Sequence, residues 1–253
     1  FIILHLFIYP ASNGYNSYQD RDESSIGGLK HPPKVSDNLF YATLLLDIAG
    51  ILAALYVSLL FALFVLLYVL ISRAYSYRNL RLKKYAIFGF LTVMIFQGAF
   101  TYLMVFSATL YNFSLNSITI DSVCSMIISS LFIGSVYPLT QIYQHQADKN
   151  DGVTTISYKL GYTGTFIFSA LLFTLAAVLL FYYFNTQDRQ VYFILFLVLM
   201  LPVIIRLLYW FNKVKKNTAS ADFENTMAMN VWASTCMNTY FLILSINNQF
   251  GWF

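Results

Sequence analysis

Long apolar segments separated by short basic loops constrain this chain more than any other feature. They lie near residues 39–71, 86–111, 118–140, 162–184, 190–211 and 226–246. Each of the last five has about the 17–25 residues that a helix needs to cross the hydrocarbon core of a bilayer. Apolar residues make up 58% of the chain and charged residues 10%, whereas a soluble domain carries roughly 25% charged residues. We therefore predict an all-α, polytopic membrane helical bundle.

The first apolar segment, 39–71, is too long for one crossing unless it is strongly tilted. At 1.5 Å per residue, a helix of this length would extend about 50 Å, against about 30 Å for the hydrocarbon core. The segment therefore predicts a hairpin of two short spans that turns between Gly50 and Ser58. The alternative is one kinked helix.

The basic residues favour the hairpin. They lie in the loops 21–34, 73–84, 149–159 and 206–216, and Arg189 alone lies elsewhere. With a hairpin, all four loops are on one side of the membrane, which the positive-inside rule makes cytoplasmic. We predict an integral, multi-pass protein of the inner or plasma membrane whose site loops are cytoplasmic. These loops also explain the net charge of +4, so we expect no nucleic-acid partner.

A first polar cluster lies just after the N-terminal apolar segment. Asn13, Asn16, Asp20 and Glu23 are spaced so that a helix through them would place all four side chains on one face. Carboxylates at a membrane edge are costly, so a functional role is the default explanation. A solvated acidic loop is the alternative.

A second polar cluster follows the segment 118–140, on the same side of the membrane. Gln141, Gln144, Asp148 and Asp151 repeat the spacing of the first cluster. Two helix ends with matched oxygen-bearing faces would face each other across one cavity, although the same spacing can arise by chance.

Together the two clusters suit the ionisation of a lipid diphosphate. Carboxylate and amide oxygens are hard ligands for Mg²⁺, which usually takes one or two carboxylates together with phosphate oxygens. The basic residues of 73–84 and Lys149 would hold the diphosphate, although a plain positive-inside anchor also explains most of them. Aromatic residues make up 19% of the chain, and their ring faces can stabilise a carbocation.

The first part of the chain resembles the UbiA superfamily of membrane prenyltransferases. That family has an Asn-x-x-x-Asp-x-x-x-Asp motif, which Asn16 and Asp20 match. The basic, proline-containing stretch 30–34 is similar to the one that follows this motif. Residues 75–83 are similar to the family's Tyr-Ser-x-Pro-x-x-Arg-Leu-Lys loop, with Arg78 where proline is usual.

The later part of the chain carries the same resemblance. Residues 148–161 are similar to the second motif, Asp-Arg/Lys-x-x-Gly-x-x-Ser/Thr followed by Leu-Gly, and 225–230 lead into a segment similar to the final helix. The resemblance implies one UbiA-like transmembrane domain over residues 1–253, with nine helices in the intact protein. We expect about seven of them here plus the end of another. The first helix and most of the second are then missing, and the apolar segment 1–9 is the end of the second.

The sequence departs from the family pattern in both motifs. The last acid of the first motif falls on Ser24, although Asp22 and Glu23 are adjacent. In the second motif Gln144 replaces the acid expected four residues before Asp148. A neutral amide offers an oxygen but no charge, so we expect a weaker second Mg²⁺ site. The chain is then either a divergent member with an altered metal demand or one that no longer catalyses.

The resemblance implies Mg²⁺-dependent transfer of an isoprenyl group from an isoprenyl diphosphate to a lipophilic acceptor, aromatic or lipid-like, within the membrane lipid. The implied Mg²⁺ ligands are Asn16, Asp20, Asp22, Glu23, Gln144 and Asp148, and the implied catalytic residues are Asp20, Asp148 and Tyr75. The implied diphosphate-binding residues are Lys30, Lys34, Arg81, Lys83 and Lys149. Two alternatives stay open: a UbiA-type isoprenoid cyclase that needs no acceptor, and a non-catalytic membrane transporter or scaffold.

Overall fold

Helices account for most of the chain in this computed structural model, which describes residues 1–21, 25–110 and 112–251, without the side chain of Leu115. A π-helical stretch, Ile3–Ile8, leads into α1 (Tyr9–Asp20), which is followed by α2 (Asp37–Val57) and α3 (Leu59–Ser76). Next, α4 (Ala86–Met94) continues through a second π-helical stretch, Ile95–Phe100, into α5 (Thr101–Thr109). The remaining helices are α6 (Ile120–Thr140), the short α7 (His145–Asn150), α8 (Ile156–Asn185), α9 (Gln190–Lys216) and α10 (Phe223–Phe250).

Six helical segments of the described chain are long and apolar enough to cross a membrane. They are Asp37–Val57, Leu59–Ser76, Ala86–Thr109, Ile120–Asn150, Ile156–Asn185 and Gln190–Lys216. The prediction of an all-α membrane bundle is therefore confirmed. The helix predicted over 226–246 is present as α10, but polar residues such as Asn230 and Asn238 lower its mean hydropathy, and it is not one of the six.

The segment 39–71 forms the predicted hairpin, and the alternative of one kinked helix is wrong. Ser58 separates α2 from α3 in an extended conformation (φ −167°, ψ 155°), and its side chain accepts a hydrogen bond of 3.0 Å from the Phe61 amide at the start of α3. Across the hairpin, Arg73 Nε donates to Asp47 Oδ2 at 3.0 Å. The Arg73 guanidinium also lies 3.9 Å from the centre of the Tyr15 ring. This arginine therefore connects the hairpin to α1.

The predicted basic loops meet at one end of the bundle. The backbone amide of Thr154 donates to the Lys84 carbonyl at 3.2 Å, and Arg78 reaches the carbonyl of Gln19 at the end of α1. At the opposite end, Gln187 donates to Asp121 at 3.4 Å. These contacts agree with the predicted alternation of loops, while the side of the membrane on which each end lies stays a prediction.

Two apolar cores flank a polar region. One core joins α6, α8, α9 and α10 around the fully buried Phe196, Trp210 and Tyr240. The other joins the N-terminal helix, α2, α3 and α5 around Val65 and Met104. The polar side chains of both predicted motifs lie between these cores, at the end of the bundle where the basic loops meet.

Candidate active site

The first motif lies on the last turn and a half of α1. The helix ends at Asp20, because Arg21 takes a left-handed conformation (φ 51°). The predicted helical face is therefore present from Asn13 to Asp20. Asp22 and Glu23, both predicted metal ligands, lie outside the described residues.

Arg78 caps this end of α1. Its Nε donates to the Gln19 carbonyl at 2.7 Å and its Nη2 donates to the Asp20 carbonyl at 3.2 Å. The last carbonyls of a helix lack partners within the helix and carry a partial negative charge, so a guanidinium there stabilises the terminus. Arg78, which lies where the family usually has proline, thus fixes the backbone that positions Asp20.

Two cations contact the Asp20 carboxylate. Lys83 Nζ donates to both oxygens of Asp20 and, at 2.9 Å, to Asn16 Oδ1. Ser76 Oγ donates to the same Asn16 oxygen at 2.8 Å. Arg81 Nη2 lies 3.3 Å from Asp20 Oδ1. The Asp20 side chain is 9% exposed and that of Lys83 11%, so these charges attract each other with little screening by solvent.

Arg81 also connects the first motif to the second. Its Nη1 donates to the Asp151 carbonyl at 3.3 Å, and its Nη2 bonds the Asp151 carboxylate. This hydrogen bond and charge hold the pKa of Asp151 below its usual range. Arg81 adopts a left-handed backbone conformation (φ 42°), which disfavours residues other than glycine, asparagine and aspartate. One guanidinium thus bridges a carboxylate of each motif.

The second motif is not one continuous helix. The helix α6 ends at Thr140, a 3₁₀ turn covers Ile142–Gln144, and α7 begins at His145. The Gln141 side chain is buried, and its Oε1 has no hydrogen-bond partner among the described residues. Gln144 Nε2 approaches the Ser25 carbonyl at 3.4 Å, so its amide faces the loop that follows the first motif.

Both motifs line one cavity of about 490 Å³ at this end of the bundle. Of the residues predicted from the sequence, it is lined by Asn16, Asp20, Tyr75, Arg81, Lys83, Gln144 and Asp148. Gln141 and Asp151 line it as well. The two polar clusters therefore line one space, although the second cluster does not share the single helical face on which the prediction was based.

The model of one protein family, the UbiA prenyltransferase family, matches residues 1–233 of this chain, with both halves of the cavity inside the match. The chain belongs to the UbiA prenyltransferase family. A solved structure of similar fold is described as "Structural and mechanistic insights into the biosynthesis of Digeranylgeranylglyceryl phosphate synthase in membranes". It is 18% identical, with a TM-score of 0.54, and the match covers 92% of this chain and 78% of that one. A comparison with curated protein sequences gave no significant match.

Three of the predicted diphosphate-binding lysines lie outside the cavity lining of this UbiA-family protein. Lys30 forms an exposed ion pair with Glu224 at the start of α10. Lys34 and Lys149 are exposed to solvent. Their predicted contact with a diphosphate is therefore not preformed, whereas Arg81 and Lys83 already face the cavity.

Sequence reasoning missed two residues of the site. The Tyr137 hydroxyl is hydrogen-bonded to the predicted Tyr75, and both side chains line the cavity. Asn230 reaches the cavity from α10, and its Oδ1 is buried without a partner among the described residues. The signal for Asn230 was its place in the stretch 225–230 that resembles the family's final helix. Tyr137 lies eleven residues before Asp148, and no motif marks it.

Proposed function

We propose that this protein is an intramembrane prenyltransferase. It transfers an isoprenyl group from an isoprenyl diphosphate to a lipophilic acceptor, aromatic or lipid-like, in a Mg²⁺-dependent reaction on the cytoplasmic side of the membrane. The observation that carries the proposal is the cavity in which Asp20, Asp148 and the Arg81–Lys83 pair face one another. An acidic and a basic set at the edge of a membrane bundle suit a charged diphosphate with an apolar tail.

The residues of the cavity fit Mg²⁺. Four lining side chains carry carboxylate or amide oxygens that can bind the ion: Asn16, Asp20, Gln141 and Asp148. The Gln141 oxygen is buried without a partner among the described residues. No group of three or more acidic, histidine or cysteine side chains forms a complete ligand set in the described chain. The ion would therefore share the protein's oxygens with those of the diphosphate, which is the usual arrangement for Mg²⁺. When bound, it neutralises charge on the leaving diphosphate.

Arg81 and Lys83 have two roles in this proposal. Without substrate they neutralise Asp20, which would otherwise be a carboxylate buried without a partner. With substrate they turn to the diphosphate oxygens, and Asp20 becomes available to the metal. Donors already placed where negative charge develops contribute strongly to the rate of such reactions.

The bond changes follow from this arrangement. The bond between C1 of the isoprenyl group and the diphosphate oxygen breaks, and its electron pair leaves with the diphosphate. The rings of Tyr75, Tyr137 and Phe96 line the cavity and can stabilise the allylic cation through their faces. An electron pair of the acceptor then forms the new bond to C1, and the acceptor releases a proton to the diphosphate or to water.

The experiment uses membranes that contain the full-length protein and the natural acceptor. Radiolabelled farnesyl and geranylgeranyl diphosphates are added with and without Mg²⁺, and the labelled lipid is identified by mass spectrometry. We expect a Mg²⁺-dependent prenylated lipid that disappears with Asp20→Asn. A cyclic hydrocarbon without an acceptor would point to the cyclase alternative. Absence of Mg²⁺-dependent binding of farnesyl thiodiphosphate, an unreactive analogue, would refute the proposal.

A further inference from the structure

A second cavity adjoins the first. Its volume is about 340 Å³, and it is lined by Tyr9, Ser12, Asn13, Tyr68, Gln97, Thr101 and Ile133. Four of these residues, Ser12, Asn13, Tyr68 and Gln97, also line the first cavity. The two spaces therefore meet along these side chains, and a molecule in one can touch a molecule in the other.

The second cavity lies farther from the loop end of the bundle than the acidic motifs. On α1, Asn13 and Tyr9 precede Asp20 by seven and eleven residues, which corresponds to about 10 and 16 Å along a helix. On α3, Tyr68 precedes Tyr75 by seven residues. The shared residues thus lie between the acidic motifs and the interior of the bundle.

Close packing of the π-helical stretch Ile95–Phe100 fixes the position of Gln97. A Cβ atom at Gly98 would lie 2.4 Å from the Cα atom of Ser130, so only glycine allows this approach to α6. Next to it, the Ala99 amide donates to Ser130 Oγ at 2.9 Å. π-Helical stretches inside α-helices occur frequently at functional sites. Here the stretch holds an amide side chain at the junction of the two cavities.

The lining of the second cavity is polar but uncharged. It contains two amides, two phenols, a serine and a threonine, and Ile133 is its one apolar member among the described residues. Thr101 Oγ1 donates to the Phe96 carbonyl at 2.8 Å, and Ser12 bonds Ser72. In contrast, the side chains of Asn13 and Gln97 form no hydrogen bond with the described part of the chain, although both face the cavities. Both side chains keep exposed surface, so their amide groups are available to a hydrogen-bonding ligand in the cavity.

We propose that this second cavity binds the prenyl acceptor, and that the acceptor is uncharged and carries hydroxyl or carbonyl groups at its reactive end. The inference rests on the proposed function and specifies its acceptor. Hydroxyl and carbonyl groups pair with the amides of Asn13 and Gln97 and with the phenols of Tyr9 and Tyr68. They also bring the nucleophile to the boundary with the first cavity.

Two other occupants fit the lining less well. An isoprenyl tail has no hydrogen-bonding group, so it would leave the amides of Asn13 and Gln97 unsatisfied. The tail fits the apolar wall of the first cavity instead, where Val93, Phe96 and Met227 lie. A carboxylate or phosphate needs a cation, and the described residues that line the second cavity include none.

The experiment separates binding of the two substrates. Full-length wild type, Gln97→Leu and Asn13→Leu are compared in membranes. Gln190→Leu is the matched control, because it removes an amide that lines neither cavity. Binding of Mg²⁺ with farnesyl thiodiphosphate reports the first cavity. The acceptor, identified from the labelled lipid product and added back to acceptor-depleted membranes, gives an acceptor KM for each variant.

We expect an acceptor without carboxylate or phosphate. Its KM should rise at least tenfold in Gln97→Leu and Asn13→Leu, while thiodiphosphate binding stays within twofold of the wild type and Gln190→Leu changes neither. Tyr9→Phe, which removes only a hydroxyl that lines the second cavity and not the first, repeats the test if Gln97→Leu does not fold.

Three results would overturn the inference while leaving the proposed function intact. These are a charged acceptor, an unchanged acceptor KM in the variants, and a parallel loss of thiodiphosphate binding that would put the tail in this cavity. Failure of the wild type to bind thiodiphosphate with Mg²⁺ would instead refute the proposed function itself.

Discussion

The two sides of the first cavity present similar oxygen atoms in different electrostatic states. On the α1 side, Asn16 and Asp20 already accept hydrogen bonds from Lys83, and Arg81 contacts Asp20. On the α6–α7 side, the Gln141 oxygen is buried without a partner in the described chain. The same spacing in the sequence therefore produces a charged side, where Asp20 contacts two cations, and an amide-rich side, where Gln141 and Gln144 accompany the carboxylates of Asp148 and Asp151. The spacing of polar residues in the sequence indicates which side chains bring oxygen atoms to the cavity. The electrostatic state of those oxygens depends on the residue type and on the cations that contact them.

Asp20→Asn should have the largest effect. It removes the carboxylate that faces both Lys83 and Arg81, so we expect prenyl transfer to fall about 10²–10³-fold, as when a preset electrostatic contact is lost. Because Lys83 loses its carboxylate partner and Arg81 loses one of two, thermal stability without substrate should fall too. Turnover and thermal unfolding in detergent measure both effects. Asp121→Asn, at the opposite end of the bundle, is the control, and full activity of Asp20→Asn would contradict the charged-side assignment.

Asp148→Asn should raise the Mg²⁺ concentration needed for half-maximal activity about tenfold or more. A shift of this size corresponds to about 1.4 kcal/mol, which suits the loss of one charge from the amide-rich side. A Mg²⁺ titration at fixed isoprenyl diphosphate measures the shift. An unchanged requirement would mean that this side contributes no metal ligand.

Gln144→Glu should lower the same Mg²⁺ requirement, by several-fold. The change adds a third carboxylate to the amide-rich side, beside Asp148 and Asp151, in place of a neutral amide. Gln146→Glu is a matched control, because Gln146 is exposed and does not line the cavity. Equal shifts in both variants would show a general effect of surface charge.

Arg78→Ala should have the smallest effect. It removes the cap from the carboxyl end of α1, for which we expect a loss of about 0.5–1 kcal/mol in stability. Activity should fall a few-fold, with a higher Mg²⁺ requirement, because the backbone that presents Asp20 becomes less ordered. Arg189→Ala, at the opposite end, is the control. A drop in stability with an unchanged Mg²⁺ requirement would mean that the cap does not position Asp20.

Local patterns predicted the fold well. The length of 39–71 and the distribution of basic residues led to a hairpin, and the break at Ser58 lies at the edge of the predicted range. The end of α1 was not predictable from spacing, because it depends on the left-handed Arg21 and on Arg78, which is far away in the sequence.

Motif residues of the candidate site were found from the sequence, whereas residues whose position depends on a contact far away in the chain were not. Arg81 and Lys83, predicted to bind the diphosphate, line the cavity, whereas Lys30, with the same predicted role, pairs outside it with Glu224, 194 residues later. Nothing in the local sequence around Lys30 indicates that pairing. Asn230 joins the site through the packing of α10, which a motif in the first half of the chain cannot reveal.

The left-handed backbone at Arg81 makes this position one where stability and activity oppose each other. A non-glycine residue in this conformation costs about 1–2 kcal/mol, yet glycine would leave Asp20 and Asp151 without their shared guanidinium. Consensus or computational redesign aimed only at thermostability would replace Arg81 with glycine, which relieves the backbone strain but removes the guanidinium. Arg81 should therefore be held fixed in any attempt to stabilise this protein for purification or crystallisation.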